Sequence, residues 1–231
     1  AKIARALAED GWHVIIHYNS SATEARAIEA AIRKSGGSAS TVQFDLRDST
    51  GVAAFADGLG RIDLLVNSAS VFEQDRPETV EAAALEQALR VNLMAPVLLG
   101  SAMAQAHETR ASGCIINLLD QKLFNLNPDF FSYTLAKHAL LSATTTMAMA
   151  LAPRVRVNGI APGLTLPSGQ QSEAEFERAH RMNPMQGGST PEDIVRAVRF
   201  IIATPSMTGE TITIDGGEHL MRRTRDVSIE P

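Results

Sequence analysis

Short runs of aliphatic and β-branched residues alternate along this chain with stretches of helical periodicity, and that alternation restricts the fold more than any other feature. Strands are predicted at Trp12–His17, Thr41–Phe44, Ile62–Val66, Cys114–Leu119, Val155–Ile160 and Thr211–Ile214. Between them, Ser21 to Ser35 reads as a helix, opened by the capping box Ser21-x-x-Glu24 and closed by Gly36-Gly37. Glu78 to His107 reads as mostly helical with a bend at Pro96, Ser132 to Leu151 as a long helix, and Thr190-Pro191 as the N-cap and first residue of another. Strands alternating with helices need right-handed crossovers and so a parallel sheet. The near absence of polar alternation within the strands implies burial on both faces. The expected fold class is α/β: a doubly wound, Rossmann-type parallel sheet in three αβα layers, formed as a single domain over 1–231.

The chain opens on Ala1-Lys2-Ile3-Ala4-Arg5-Ala6-Leu7-Ala8, already a helix pattern, with Gly11 as its stop. In a doubly wound fold a strand and a glycine-rich turn precede that helix, because cofactor phosphates dock at its N-terminus. No G-x-G-x-x-G occurs anywhere in the sequence. The expectation is therefore that the natural protein carries a first strand and glycine loop ahead of Ala1. The stretch Arg47 to Arg61 is also short for a full crossover helix, which leaves room for a second omission there.

With 231 residues, 45% hydrophobic and 20% charged, the chain has an ordinary globular balance. Its net charge of −5 is spread without a basic block, which argues against nucleic acid as a partner; only Arg222, Arg223 and Arg225 approach a cluster. The lone Cys114, in an apolar run, suits a reducing compartment. No uninterrupted apolar stretch reaches the roughly 18 residues of a membrane span. No leader pattern is visible either, so a cytoplasmic location is expected. His13, His107, His138, His180 and His219 lack metal-ligand spacing, and no metal is expected.

Tyr133-x-x-x-Lys137 falls on the long helix, where a spacing of four puts both side chains on one face. An ammonium near a phenol favours the phenolate, and so makes Tyr a better proton donor to a reduced carbonyl or imine. By itself the pair also fits a surface Tyr beside an unrelated Lys. Its surroundings add specificity: Asp63-Leu64-Leu65-Val66-Asn67-Ser68-Ala69-Ser70 ends a strand in small residues, and Val91-Asn92 lies inside a helix. Arg156-Val157-Asn158-Gly159-Ile160-Ala161-Pro162-Gly163 empties into a turn, and Thr208-Gly209-Glu210 with Asp215-Gly216-Gly217 brackets the last strand. In this order and spacing the segments resemble the short-chain dehydrogenase/reductase family across essentially the whole chain. The resemblance implies Tyr133 as proton donor, and Lys137 as the group that lowers its pKa and holds the nicotinamide ribose. Asn92 would prop up a water linked to the Lys. Asn67 and Ala69 would form the turn beside the adenosine ribose, and Pro162, Gly163 and Thr165 the loop over the nicotinamide.

Two departures point to a subtype. Where the family usually has a Ser, about thirteen residues before the Tyr, this chain has Asp120. In this it resembles pteridine reductases and the related bacterial dihydromonapterin reductases. A carboxyl group could relay a proton to a ring nitrogen; a cap for the following loop, or a degenerate site, is the plainer reading of the same Asp. Phe72, in Ser70-Val71-Phe72, matches an aromatic on which a pterin stacks, with an ordinary core Phe as the alternative; Ser70 is expected to touch cofactor and substrate. The second strand ends in His17-Tyr18-Asn19-Ser20-Ser21 with no acid, where NAD binders place Asp or Glu, so NADPH is the expected cofactor. Asp45-Leu46 matches the pair beside the adenine. The Gly-rich stretch 164–188 is where the family carries its substrate-covering loop. The expected function is NADPH-dependent reduction of a pterin-like small molecule by a homotetramer. The alternatives are a 3-oxoacyl thioester or other carbonyl reductase, and a non-catalytic NADP-binding regulatory protein.

Overall fold

The computed structural model describes residues 1–107, 113–167 and 171–229. The chain divides into two compact units, Ala1–Asp48 and Ser49–Pro231.

In the first unit, α1 (Lys2–Glu9) leads to β1 (His13–Tyr18), and α2 (Ala22–Lys34) connects β1 to the parallel β2 (Ser38–Gln43). Ala8, Ile32 and Ala39 make its core, with Val14, Ile16 and Ile28 packed against them. β2 starts three residues before its predicted position. Ser38 and Ser40 are held across the strands by the His13 ring, at 2.6 and 3.0 Å, so polar residues extend the ladder where apolar pattern is missing. The predicted capping box at Ser21 does not form. Its backbone (ψ 55°) is not extended, and the hydroxyl makes no cap bond. Boxes form instead at Ser172–Glu175 and, beside the predicted Thr190-Pro191 start, at Thr190–Asp193; in both the N-cap backbone is extended, at ψ 159°.

The second unit holds α3 (Val52–Leu59), β3 (Leu64–Asn67), α4 (Ala82–Leu89), α5 (Ala95–Gln105), β4 (Gly113–Leu118), α6 (Phe131–Leu151), β5 (Val155–Pro162), α7 (Glu173–His180), α8 (Pro191–Ala203) and β6 (Thr211–Ile214). Its sheet runs β3-β4-β5-β6, all parallel, with Val66 opposite Ile116, Ile116 opposite Asn158 and Ile160 opposite Ile212. Sequential order with parallel pairing sends every strand the same way, so all four carboxyl ends share one edge. Beneath that edge Ile115, Val155 and Val157 pack with Met103, Ala104 and Ala148, and Leu119 and Ala161 pack with Leu123 and Leu140. Cys114 is buried there, and burial pushes its thiol pKa up, as for an inert core cysteine.

The predicted Glu78–His107 helix is two helices joined by a π-turn, Arg90–Met94. Pro96 has no N–H to return to the carbonyl of Asn92, so the ladder is interrupted at the turn that carries Asn92. Within the 24-residue run Ala82–Gln105, which includes the charges of Glu86 and Arg90, an 18-residue window reaches a mean hydropathy of 1.2, long and apolar enough to cross a membrane by length and composition alone. In this fold it packs on α3, α6, β3 and β4.

Gly159 lies where β5 is tightest against its neighbours: a Cβ there would meet Leu119 Cδ1 at 2.6 Å and the Thr211 hydroxyl at 2.8 Å. Gly159→Ala should cost about 1–3 kcal/mol, read as a lower urea midpoint with unchanged slope; an unchanged midpoint contradicts this packing.

Candidate active site

The helix α6 presents Tyr133 and Lys137 one turn apart, both buried, at the carboxyl edge of the sheet. Tyr133 Oη donates to Asp120 Oδ2 at 2.7 Å. Asp120 lies two residues after β4, and its Oδ1 accepts the Lys122 amide at 2.8 Å. One oxygen of the carboxyl group thus caps the following loop while the other accepts from Tyr133. Lys137 Nζ donates to the Leu118 carbonyl at 2.6 Å and lies 5.6 Å from the Tyr133 ring centroid.

Burial governs the proton affinities here. It raises the pKa of Asp120, against the hydrogen bonds from Tyr133 and the Lys122 amide. Burial, then the charge of Asp120, raises Tyr133 well above the usual phenol value. Burial lowers Lys137 to about 8, with Asp120 opposing. The phenol thus moves opposite to the sequence-based expectation, first because it is buried and then because it faces a carboxyl group, while Lys137 is turned to a backbone carbonyl.

At the end of β3, Asn67 points inward and donates to Asn117 Oδ1 at 2.8 Å, so its side chain braces two strands. Ser68, Ala69 and Ser70 are exposed. Asn92 is fully buried and grips Val71 at both backbone groups, donating to its carbonyl at 2.8 Å and accepting its amide at 3.0 Å. That clamp sets Phe72, a residue 38% exposed whose ring lies 4.8 Å edge-on from Tyr133 and stacks at 3.9 Å on Phe130. Phe130 covers one face of Phe72. Phe130 itself sits in the left-handed region (φ 55°, ψ 49°), uncommon for an aromatic residue and costly by about 1–3 kcal/mol. Asp75 holds this corner by accepting the Ser132 amide and hydroxyl at the start of α6.

At the ends of β5 and β6, Gly163 donates to the Ile214 carbonyl at 2.8 Å, and a Cβ on it would lie 2.8 Å from that of Asp215. Thr165 Oγ1 bonds the Gly163 carbonyl and Ser189 Oγ. Glu218, buried, accepts the Leu164 amide; burial, then Asp120 and Asp226, push its pKa up to about 7. Within the predicted substrate loop, residues 168–170 lie outside the described residues, and the remainder contains α7.

In the first unit, His17 Nε2 donates to the Phe44 carbonyl at 2.8 Å. Tyr18 is half-buried, while Asn19, Ser20 and Ser21 are exposed at the start of α2 with no carboxylate among them. That donor set suits an anion better than a ribose hydroxyl pair. Asp45 is held by Arg47 as a surface ion pair and Leu46 is buried.

Sequence reasoning missed Lys122, Asp129, Phe130, Glu218 and Asp226. Only Phe130 left a signal, as half of an aromatic pair just before Ser132. Among the described residues, no group of three or more His, Cys, Asp or Glu side chains could hold a metal ion. Arg223 and Arg225 are turned to the Met182 carbonyl and to Asp129.

A family model described as enoyl-(acyl carrier protein) reductase matches residues 1–219, and the chain belongs to the short-chain dehydrogenase/reductase family. It is similar to FolM alternative dihydrofolate reductase 1 from Brucella canis, crystallised with NADP: 43% identity, TM-score 0.90, covering 97% of this chain and 91% of that one. Pteridine reductase 1 of Leishmania tarentolae is 30% identical, covering 96% and 93%. A 3-oxoacyl-[acyl-carrier-protein] reductase of Synechocystis is also 30% identical, covering 93% and 90%. The parallel sheets with flanking helices are thus of the Rossmann type.

Because the fold holds the Lys137 ammonium less readily than the unfolded chain does, the unfolded state binds the extra proton between about pH 8 and 10.5. Burial therefore costs stability below that window, and the cost fades as pH rises through it. Lys137→Met should be more stable than the parent at pH 7 by roughly 2–3 kcal/mol, with the gap narrowing by about pH 9.5 in urea titrations. A gap that does not depend on pH contradicts this.

Proposed function

We propose that this chain is an NADPH-dependent reductase of a pterin-like heterocycle, adding hydride to the carbon of a ring C=N bond. The observation that carries the reading is the Tyr133–Asp120 hydrogen bond, standing where the family usually has a Tyr–Ser pair. The NADP-bound FolM relative and the pteridine reductase relative support the same substrate class.

NADPH supplies the hydride; everything else falls to side chains of this chain. Lys137, buried and donating to the Leu118 carbonyl, would hold the nicotinamide ribose. Asn19, Ser20 and Ser21 offer donors for a 2′-phosphate. Tyr133 holds its proton toward Asp120 in a site where burial makes both groups reluctant to ionise. Such a pair can give one proton to a ring nitrogen and be refilled through the carboxyl group. The partly exposed ring of Phe72 would offer a flat surface for the pterin, and Asn92 holds the neighbouring Val71 backbone. The same reading carries a homotetrameric, cytoplasmic enzyme.

The Synechocystis relative favours a second reading, reduction of 3-oxoacyl thioesters. A panel of dihydropterins and acetoacetyl thioesters with both nicotinamide cofactors separates the two. The first reading expects NADPH oxidation with a dihydropterin, lowered roughly 100-fold or more by Tyr133→Phe. Asp120→Ser should reduce pterin turnover much more than any ketone turnover. Thioester reduction without pterin reduction would replace this reading with the second, and tight NADPH binding without turnover would indicate a regulatory binder.

A further inference from the structure

Lys122 is only 2% exposed and lies two residues after Asp120. Its backbone amide holds Asp120 Oδ1, and its Nζ lies 5.7 Å from the centroid of Phe130, the ring stacked on Phe72. Nζ is paired with Asp226 Oδ2 at 2.8 Å and donates to Asn127. The other Asp226 oxygen accepts the amide and hydroxyl of Ser228. Further bonds join the same two segments. Arg225 Nε and the Asp226 amide both donate to the buried Asp129, at 2.8 and 2.9 Å. Asn125 donates to the Glu218 carbonyl and accepts the Arg223 amide.

We propose that Lys122 and Asp226 are a positioning pair for the reacting end of the site: their ion pair fastens the C-terminal segment to the Asp120–Phe130 loop, so that the tail of the chain completes the active site. The inference rests on Asp120 being the acid of the proposed reaction. A buried ammonium needs its partner, so the loop carrying the acid and the aromatic platform keeps its shape only with the tail in place. The pair also sets charge. Asp120 is faced by Tyr133 and Lys137 from α6 and by Glu218 and Asp226 from the tail. The negative charge of Asp226 opposes ionisation of both Asp120 and Tyr133.

Carboxyl carbon-13 NMR of the full chain reads this directly, with the Asp120 resonance assigned by its loss in Asp120→Asn. Asp226→Asn should move the Asp120 titration to lower pH by about half a unit or more, and Asp226→Glu should restore it. In the active enzyme the descending limb of the pH–rate profile should follow. A folded Asp226→Asn with an unmoved Asp120 titration overturns the inference. If Asp226→Asn does not fold, the double variant Lys122→Met/Asp226→Leu, which replaces the ion pair by apolar volume, must show the same downward move; an unmoved titration there overturns it equally. The titration uses no substrate, so a failed pterin panel leaves it standing. An unmoved titration in a pterin-active enzyme removes this inference alone.

Discussion

Much of the second unit is organised around one hydrogen bond, from the buried Tyr133 Oη to Oδ2 of the half-buried Asp120. Each partner comes from a different kind of element. Tyr133 is fixed by α6, whose first turn Asp75 caps from outside the helix. Asp120 is fixed by β4 and by the 3₁₀ turn that its own second oxygen caps. A carboxyl group that caps a turn cannot swing away without releasing a backbone amide, so burial and capping together keep it aimed at the phenol.

The same edge of the sheet gathers the rest. Parallel strands in sequential order bring the ends of β3, β4, β5 and β6 together, and small residues leave the backbone bare at Ser68–Ser70 and at Gly163. The aromatic platform of Phe72 on Phe130 is held from three sides: by Asn92 through Val71, by the strained backbone of Phe130, and by the buried Lys122. Rigid, strained and ion-paired parts cluster on the reacting edge, while the far side of the unit is aliphatic packing.

What could be read from sequence follows the range of the interactions. Strand positions, the long helix and the Tyr133–Lys137 spacing are local patterns, and the structure has them within a few residues. Asp120 and Phe72 were visible because each departs from, or matches, a family position. The direction of the Tyr133 pKa was not legible, since it depends on burial and then on the group the phenol faces across the fold, not on its neighbour one turn along. The side chains of Asn67 and Asn92 hold Asn117 and Val71, long-range partners that leave no local pattern around an Asn. Lys122, Asp129 and Asp226 were invisible for the same reason: about a hundred residues separate Lys122 from Asp226. The capping box expected at Ser21 failed on backbone angles that residue identity does not specify.

If Tyr133 and Asp120 act as one proton-delivering unit, removing either should disable most of what the other does. A double-mutant cycle with Tyr133→Phe and Asp120→Ser, read as kcat/KM for NADPH-dependent dihydropterin reduction, measures this directly. The account predicts strong non-additivity, the double variant being no slower than the worse single variant. Losses that simply multiply would show two independent groups and would contradict it.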